Sequence, residues 1–275
     1  MVIEKYKEFN FRDFDNLDES EDADYLIDSM DEMFDVEHVQ GIKQMAIENL
    51  NVKNGNMVLE LGCGLGHDAE TFGELVGDSG NVVAVDFSKK MISKAKMRSK
   101  HGNVIYTQAN ASNLDYPDQT FDICHADRLL LSQKDPIKIL MEAIRLLKPG
   151  GKLSITDLDF GSIIFHPHDE KITPILKDRL QEIVLHPFIG RELHQRFNEQ
   201  GLVNITVEPK SYLIQSFDKL KKIIDVKRIL TDLCMLGRLS KEESEKQLSL
   251  FNEAEEKKMF LYSITFFTVQ GDKRG

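Results

Sequence analysis

The strongest constraint on this 275-residue chain is an apolar run, Met57-Val58-Leu59-Glu60-Leu61, leading directly into Gly62-Cys63-Gly64-Leu65-Gly66. A short apolar run predicts a buried strand, and alternate glycines predict a sharp turn where backbone comes close to a ligand. Further strands are predicted at 81–85, 103–107, 121–126 and 152–156, with amphipathic helices between them at 66–77, 88–100 and 135–148. Such alternation implies right-handed crossovers and a parallel sheet covered on both faces.

The later sequence leaves that beat. Helical patterns at 172–185 and 190–200 precede a sixth strand at 203–207. Residues 216–258 carry only helical patterns, interrupted at Gly237, with Ser240-Lys241-Glu242-Glu243 as a capping-box start. An alternating strand at 260–269 ends the series. The expected fold is therefore α/β: a Rossmann-like, seven-stranded, mostly parallel sheet with an N-terminal helical arm and a helical insertion before the last strand. The expected divisions are an arm at 1–50, a core at 51–215 and 259–275, and an insertion at 216–258 that caps an acceptor site. The arm begins with Tyr6, Phe9, Phe11 and Phe14, followed by acidic residues from Asp18 to Asp22. It reads either as a frayed end or as a lid that orders aromatic side chains over a pocket.

Charge narrows the choice of partner. The chain has 46 acidic and 35 basic residues, a formal net charge of −11, which disfavours nucleic acid. The lysines between Lys89 and Lys100 fit the solvated face of a helix. Cys63, Cys124 and Cys234 are far apart, without metal-ligand spacing, and read as reduced thiols. No apolar run has the length of a membrane span and the first residues lack a signal-peptide core, so a cytoplasmic location is expected.

The glycine turn alone implies only a nucleoside-type ligand. Its G-x-G-x-G spacing differs from the dinucleotide pattern, and Glu60 lies two residues before the first glycine. That carboxylate suits a ligand bearing an ammonium and a sulfonium better than a pyrophosphate. Asp86, ending the second predicted strand, is placed to take ribose hydroxyls, the alternative being a helix cap that it or Ser88 would provide.

The run 58–66, followed by Val85-Asp86-Phe87-Ser88 and Met91, resembles the class I S-adenosylmethionine (SAM)-dependent methyltransferases, specifically the methyltransferase domain 11 type acting on small molecules. The similarity continues through Asn110-Ala111, Phe121-Asp122, Asp135-Pro136 and Leu146-Leu147-Lys148-Pro149-Gly150-Gly151. The resemblance implies that Glu60, Gly62, Cys63, Gly64 and Gly66 hold the methionine portion of SAM and that Asp86 binds the ribose. It further implies that Phe87 and Met91 pack on the adenine, with Asn110 and Ala111 at its edge; the product would be S-adenosylhomocysteine. His125, at the carboxyl end of the fourth predicted strand, is placed to line the cofactor. Asn110 stands where the family commonly has an aspartate, and Ser132 where many relatives have a loop histidine.

Methyl transfer depends mainly on alignment, and a base is needed only for a protonated acceptor. His166 is the first candidate base and Asp127 the second. His166-Pro167-His168-Asp169 has a metal-like look, and Asp127, Asp157 and Asp159 are a possible Mg²⁺ set, but neither has convincing spacing and no metal is expected. The expected function is methyl transfer to a small-molecule acceptor. The alternatives are a methyltransferase-like fold that binds SAM for a non-methylating reaction, and a macromolecular acceptor. Nothing in the sequence bears on oligomeric state.

Overall fold

A computed structural model describes residues 10–34 and 37–275. Tyr6 and Phe9 lie outside the described residues. The strands are β1 (Met57–Leu61), β2 (Asn81–Asp86), β3 (Val104–Gln108), β4 (Phe121–Asp127), β5 (Leu147–His166), β6 (Val203–Ile214) and β7 (Leu261–Asp272). They form one sheet in the order β3-β2-β1-β4-β5-β7-β6. β1 to β5 pair in parallel, while β7 runs antiparallel to both β5 and β6. The expected seven-stranded, mostly parallel sheet is thus present. Its order reverses beside β1, where β2 lies on one side and β4 on the other, the crevice that open α/β sheets use for ligands.

Alternation along the strands divides the core. Val58, Val82, Ala84 and Ile123 face one side, against Ala69, Phe72 and Val76 of α3 (His67–Val76) and Ile92 and Ala95 of α4 (Lys89–Arg98). Leu59, Val83, Val85 and Cys124 face the other, with Ile139, Leu140 and Ala143 of α5 (Pro136–Leu146). The two-residue period of a strand therefore builds both layers. α4 begins at Ser88, whose hydroxyl accepts from Met91 N at 3.1 Å, and α5 begins at Asp135 with Pro136 following.

Two strands run far beyond their sequence-based ends. β5 continues to His166 instead of stopping near Thr156, and β6 continues to Ile214 instead of Val207. Paired with β7 as far as Leu261, they extend the sheet into an antiparallel wall above the parallel core. Amide pairing across β7 keeps each segment extended beyond the point where its apolar run fades, a non-local effect absent from any short sequence window.

Helices surround that wall. α1 (Ala23–Phe34) and α2 (Glu37–Leu50) follow a 3-10 helix at Phe11–Glu19. α6 (Ile172–Glu182) and α7 (Ile189–Glu199) join β5 to β6. Between β6 and β7 lie α8 (Phe217–Ile223), α9 (Val226–Met235) and α10 (Lys241–Glu256), the last opened by the Ser240–Glu243 capping box. Phe251 of α10 meets Phe217, Phe165 and Phe260 at ring separations of 5.2–5.4 Å, seating these helices on the ends of β5 and β7.

Candidate active site

At the end of β1 the chain turns through Gly62, Gly64 and Gly66, with φ of +66°, +50° and +84°. A Cβ on Gly62 would lie 2.7 Å from Leu129 Cδ1, and one on Gly66 would lie 2.5 Å from the Tyr106 hydroxyl. Both the left-handed backbone and the close approach therefore require glycine. Cys63 N donates to Val85 O and Gly64 N to Asp86 Oδ2, each at 2.9 Å, so the turn is fastened to the end of β2. Asp86 accepts a second bond from Ser88 N at 2.8 Å. Ser88 is the cap of α4, which leaves Asp86 to face the adjoining cavity.

That cavity has a volume of about 530 Å³, within the range of roughly 300–1,000 Å³ usual for small-molecule sites. One end is formed by Gly62, Gly64, Asp86, Phe87 and Met91, with Asn110 and Ala111 at its edge. The other end is formed by Leu158, Phe160, Tyr212, Tyr262, Ile264 and Phe266. Phe11, Phe14, Leu17, Met30 and Met33 of the arm close over it, while Ile223 and Ile224 contribute from beside α8. The arm is held by Asp18, which accepts from Ser88 Oγ at 2.6 Å and Lys89 N at 2.8 Å, and by Asp31, which pairs with Arg98 at 2.6 Å.

Donors and acceptors at the first end suit a nucleoside. Burial pushes the Asp86 carboxyl above the usual carboxylate range, against its two backbone amides. Hydroxyl donors of a ribose would satisfy such a carboxylate. Phe87 is 55% exposed and Met91 is buried, so one ring face and one thioether are available to a flat base. Asn110 Oδ1 is already engaged by Ser112 N at 2.9 Å and Ser112 Oγ at 2.8 Å. Its carbonyl is therefore already engaged, and its amide hydrogens are left for a ring nitrogen.

A smaller chamber of about 30 Å³ opens beneath the turn, bordered by Lys43, Glu60, Cys63 and Asp68, and by Gly62, Asp127 and Arg128, which it shares with the large cavity. Lys43 Nζ is 2.5 Å from both Asp68 Oδ2 and Asp127 Oδ2. Burial works against the lysine charge, but Asp127 and Asp68 outweigh it and raise its pKa. Glu60 and His125 form a second buried pair, Oε2 to Nδ1 at 2.8 Å. Burial pushes Glu60 up to about 7 despite its histidine, and Glu60 raises His125 against the opposing effect of burial. Each member favours a proton held on the pair. Potential ligand atoms of Glu60, Asp68 and His125 lie within 4.8 Å of one another, with the Lys43 ammonium already supplying positive charge at Asp68.

The catalytic expectations fare differently. His166 is exposed at the end of β5, opposite Leu261, and does not line the cavity. The added strand length carries it away: from Thr156, opposite Thr268, to His166, opposite Leu261, the ladder runs seven residues along β7, roughly 23 Å at about 3.3 Å each. Asp127 does line the cavity, but it is committed to Lys43 and Arg128. Burial would lift its carboxyl, yet those two cations hold it far below the usual range, which makes it a poor base. His125 sits behind Glu60 against Phe72 and does not reach the cavity, so any influence on a cofactor passes through Glu60.

The Mg²⁺ arrangement also dissolves. Asp157 receives amides from Leu130 and Leu131, with burial pushing it up to about 7, while Asp159 takes two bonds from Arg191. Ser132 lines the cavity, with its hydroxyl donating to Leu129 O at 3.2 Å. Sequence reasoning missed Lys43, Tyr212 and Tyr262. Only the alternation Tyr262-x-Ile264-x-Phe266 could have marked a common face.

A family model described as "Methyltransferase domain" matches residues 52–201, more than half of the chain. A 37.1 kDa protein encoded in transposon TN4556 of Streptomyces fradiae is 26% identical over 80% of this chain and 64% of its own length. The ubiquinone/menaquinone biosynthesis C-methyltransferase UbiE of Cronobacter sakazakii is 37% identical over 46% of this chain and 51% of its own. The chain thus spans between half and two thirds of these curated relatives. Among solved structures, YcgJ of Bacillus subtilis aligns with a TM-score of 0.62 at 21% identity, covering 86% of this chain and 99% of that one. Phosphoethanolamine N-methyltransferase 2 of Haemonchus contortus, solved with SAM, aligns at 0.59 and 18% identity, covering 95% and 60%. Sheet order, glycine turn and family match converge, and the chain belongs to the methyltransferase domain family, built on the class I SAM-dependent methyltransferase fold.

Proposed function

We propose that this chain transfers the methyl group of SAM to a small, largely apolar acceptor. The observation that carries the reading is a single roofed cavity with a glycine turn and a carboxylate at one end and hydrocarbon walls at the other. Asp86 would hold the ribose hydroxyls, Phe87 and Met91 the adenine faces, and the Asn110 amide and Ala111 backbone its edge. Gly62, Gly64 and the Glu60 carboxylate would hold the methionine portion, with Cys63 and Gly66 shaping the turn. SAM supplies an activated methyl group when bound.

The chain's part is positioning and exclusion of water, and alignment of this kind is worth roughly 7–11 kcal/mol. Among the described residues lining the cavity, Asp86, Asp127 and Asp135 each have amide or cationic partners. The acceptor atom is thus expected to be nucleophilic without a strong protein base. The enclosure by the arm, together with the chain's net negative charge, supports a small molecule over nucleic acid. Among the described residues no helix is long and apolar enough to cross a membrane.

Calorimetry tests the cofactor reading. Asp86→Ala is expected to weaken SAM binding by about 1.5–3 kcal/mol, the scale of a hydrogen bond to a charged group. Unchanged affinity, or binding of NAD in preference to SAM, would refute it. A screen of small acceptors for transfer of labelled methyl then tests the reaction.

A further inference from the structure

Tyr212 has a buried hydroxyl that the fold does not use. The residue is 1% exposed, lies on β6 and lines the apolar end of the cavity, and its oxygen has no hydrogen-bond partner. β6 and β7 pair Tyr212 with Ile264 and Ile214 with Tyr262, placing these four side chains on one face. Tyr212 and Tyr262 are diagonal neighbours there, within mutual reach of aromatic side chains. Phe266 meets the Tyr212 ring edge-on at 5.8 Å. The wall is thus hydrocarbon and aromatic, with phenolic hydroxyls as its polar points.

An unpaired buried hydroxyl is a standing cost that a purely structural residue would shed, since phenylalanine fills the same space without it. Burial raises both phenols above the ordinary tyrosine value, so each remains a protonated donor at neutral pH. The surrounding charges do not suit a cation. Asp127 is neutralised by Lys43 and Arg128, and Asp135 by Lys138. The Arg128 guanidinium acts on Tyr212 in the sense that favours negative charge. Arg128 Nη1 donates to the thioether of Met33 at 2.7 Å, a weak acceptor for a charged donor.

We infer that the Tyr212 hydroxyl donates to an oxygen of the methyl acceptor, and that the acceptor is an uncharged, predominantly apolar molecule carrying a hydroxyl or carbonyl. This rests on the reading of the cavity as a methyl-transfer site and adds the substrate class to it.

The test uses S-adenosylhomocysteine-loaded protein and three probes sharing one body: 2-naphthol, naphthalene and protonated 2-(aminomethyl)naphthalene. Wild type is expected to bind 2-naphthol about 2–12-fold more tightly than naphthalene, the range of one neutral hydrogen bond, and the ammonium most weakly. Tyr212→Phe is expected to erase the 2-naphthol preference while leaving affinity for naphthalene and S-adenosylhomocysteine unchanged. Its urea midpoint should be equal to or above that of wild type. Retention of the preference by the variant, a lowered midpoint, strongest binding of the ammonium, or no binding of any probe would overturn the inference. Failure of wild type to bind S-adenosylhomocysteine would overturn the cofactor reading itself, and this inference with it.

Discussion

Lys43→Met removes a cation that serves two buried carboxylates while keeping most of the side-chain volume. The Lys43 and Asp68 side chains are each 9% exposed and that of Asp127 is 6%, so water cannot replace the ammonium. Breaking a buried pair by removing one partner costs about 3–5 kcal/mol. Asp127 would keep Arg128, with Nε at 2.9 Å, whereas Asp68 would lose its hydrogen-bonded cation and keep the nearby His125 and its place in the first turn of α3, the latter worth about 0.3–1 kcal/mol. The expected net loss is about 3–4 kcal/mol near pH 7. Adding Asp68→Asn should recover about half, because the uncompensated charge is then gone. Urea unfolding followed by circular dichroism suits a chain without tryptophan.

The pH dependence has a definite sign. The Asp127 carboxyl is depressed in the folded state, so its stabilising contribution is present above the unfolded value near pH 4 and is lost as pH falls below it. The deficit of Lys43→Met should therefore be full at neutral pH and narrow below about pH 4. A loss under about 1 kcal/mol, or a deficit that grows in acid, would refute the account of Lys43 as the counter-charge.

The remaining predictions concern the arm, the aromatic cluster and the buried pair. Asp18→Ala should lower stability by about 0.5–2 kcal/mol through loss of the bonds it accepts from Ser88 and the first amides of α4, and should make the arm sensitive to limited proteolysis; unchanged protection would count against Asp18 as its fastening. Phe251→Ala should cost about 3–5 kcal/mol in urea unfolding with little change in SAM affinity, since its ring contacts lie at the ends of β5 and β7. Glu60 is held near 7, so wild-type affinity for cationic SAM should rise from pH 6 to pH 7 as the pair loses its proton. Glu60→Gln should flatten that rise in calorimetry, and an identical profile in both proteins would exclude Glu60 as its source.

The cofactor end was legible because it is local. Glycine at 62, 64 and 66 follows from backbone geometry within one turn, and Asp86 follows from the end of a strand. The proposed acceptor end was not legible, because it is built by pairing between distant segments. His166 reads as a residue of the loop that follows Thr156, but hydrogen bonding to β7 carries the strand as far as it. Tyr212 comes to face the cavity only through its register with Ile264. Lys43 resembled an ordinary charge on an amphipathic helix, since its two carboxylate partners lie 25 and 84 positions away. Asn110 lines the cavity, but its bonds to Ser112 are side-chain geometry that residue type does not reveal.

β5 pairs in parallel with β4 through Asp127↔Thr156 and continues antiparallel to β7 through His166. One strand thus joins the sheet that bears the glycine turn to the wall of the far pocket, with a register shift after Asp159, and the stretch from Thr156 to Asp159 acts as a ruler between them. Leu158 and Phe160 face the cavity, while Asp157 and Asp159 take their partners elsewhere. Deleting one residue just before Asp157 would exchange these two sets, turning carboxylates inward and hydrocarbon outward. Exchanging side chains along this stretch of β5 would therefore reshape the proposed acceptor pocket, whereas changing the number of residues ahead of Leu158 would turn its faces over.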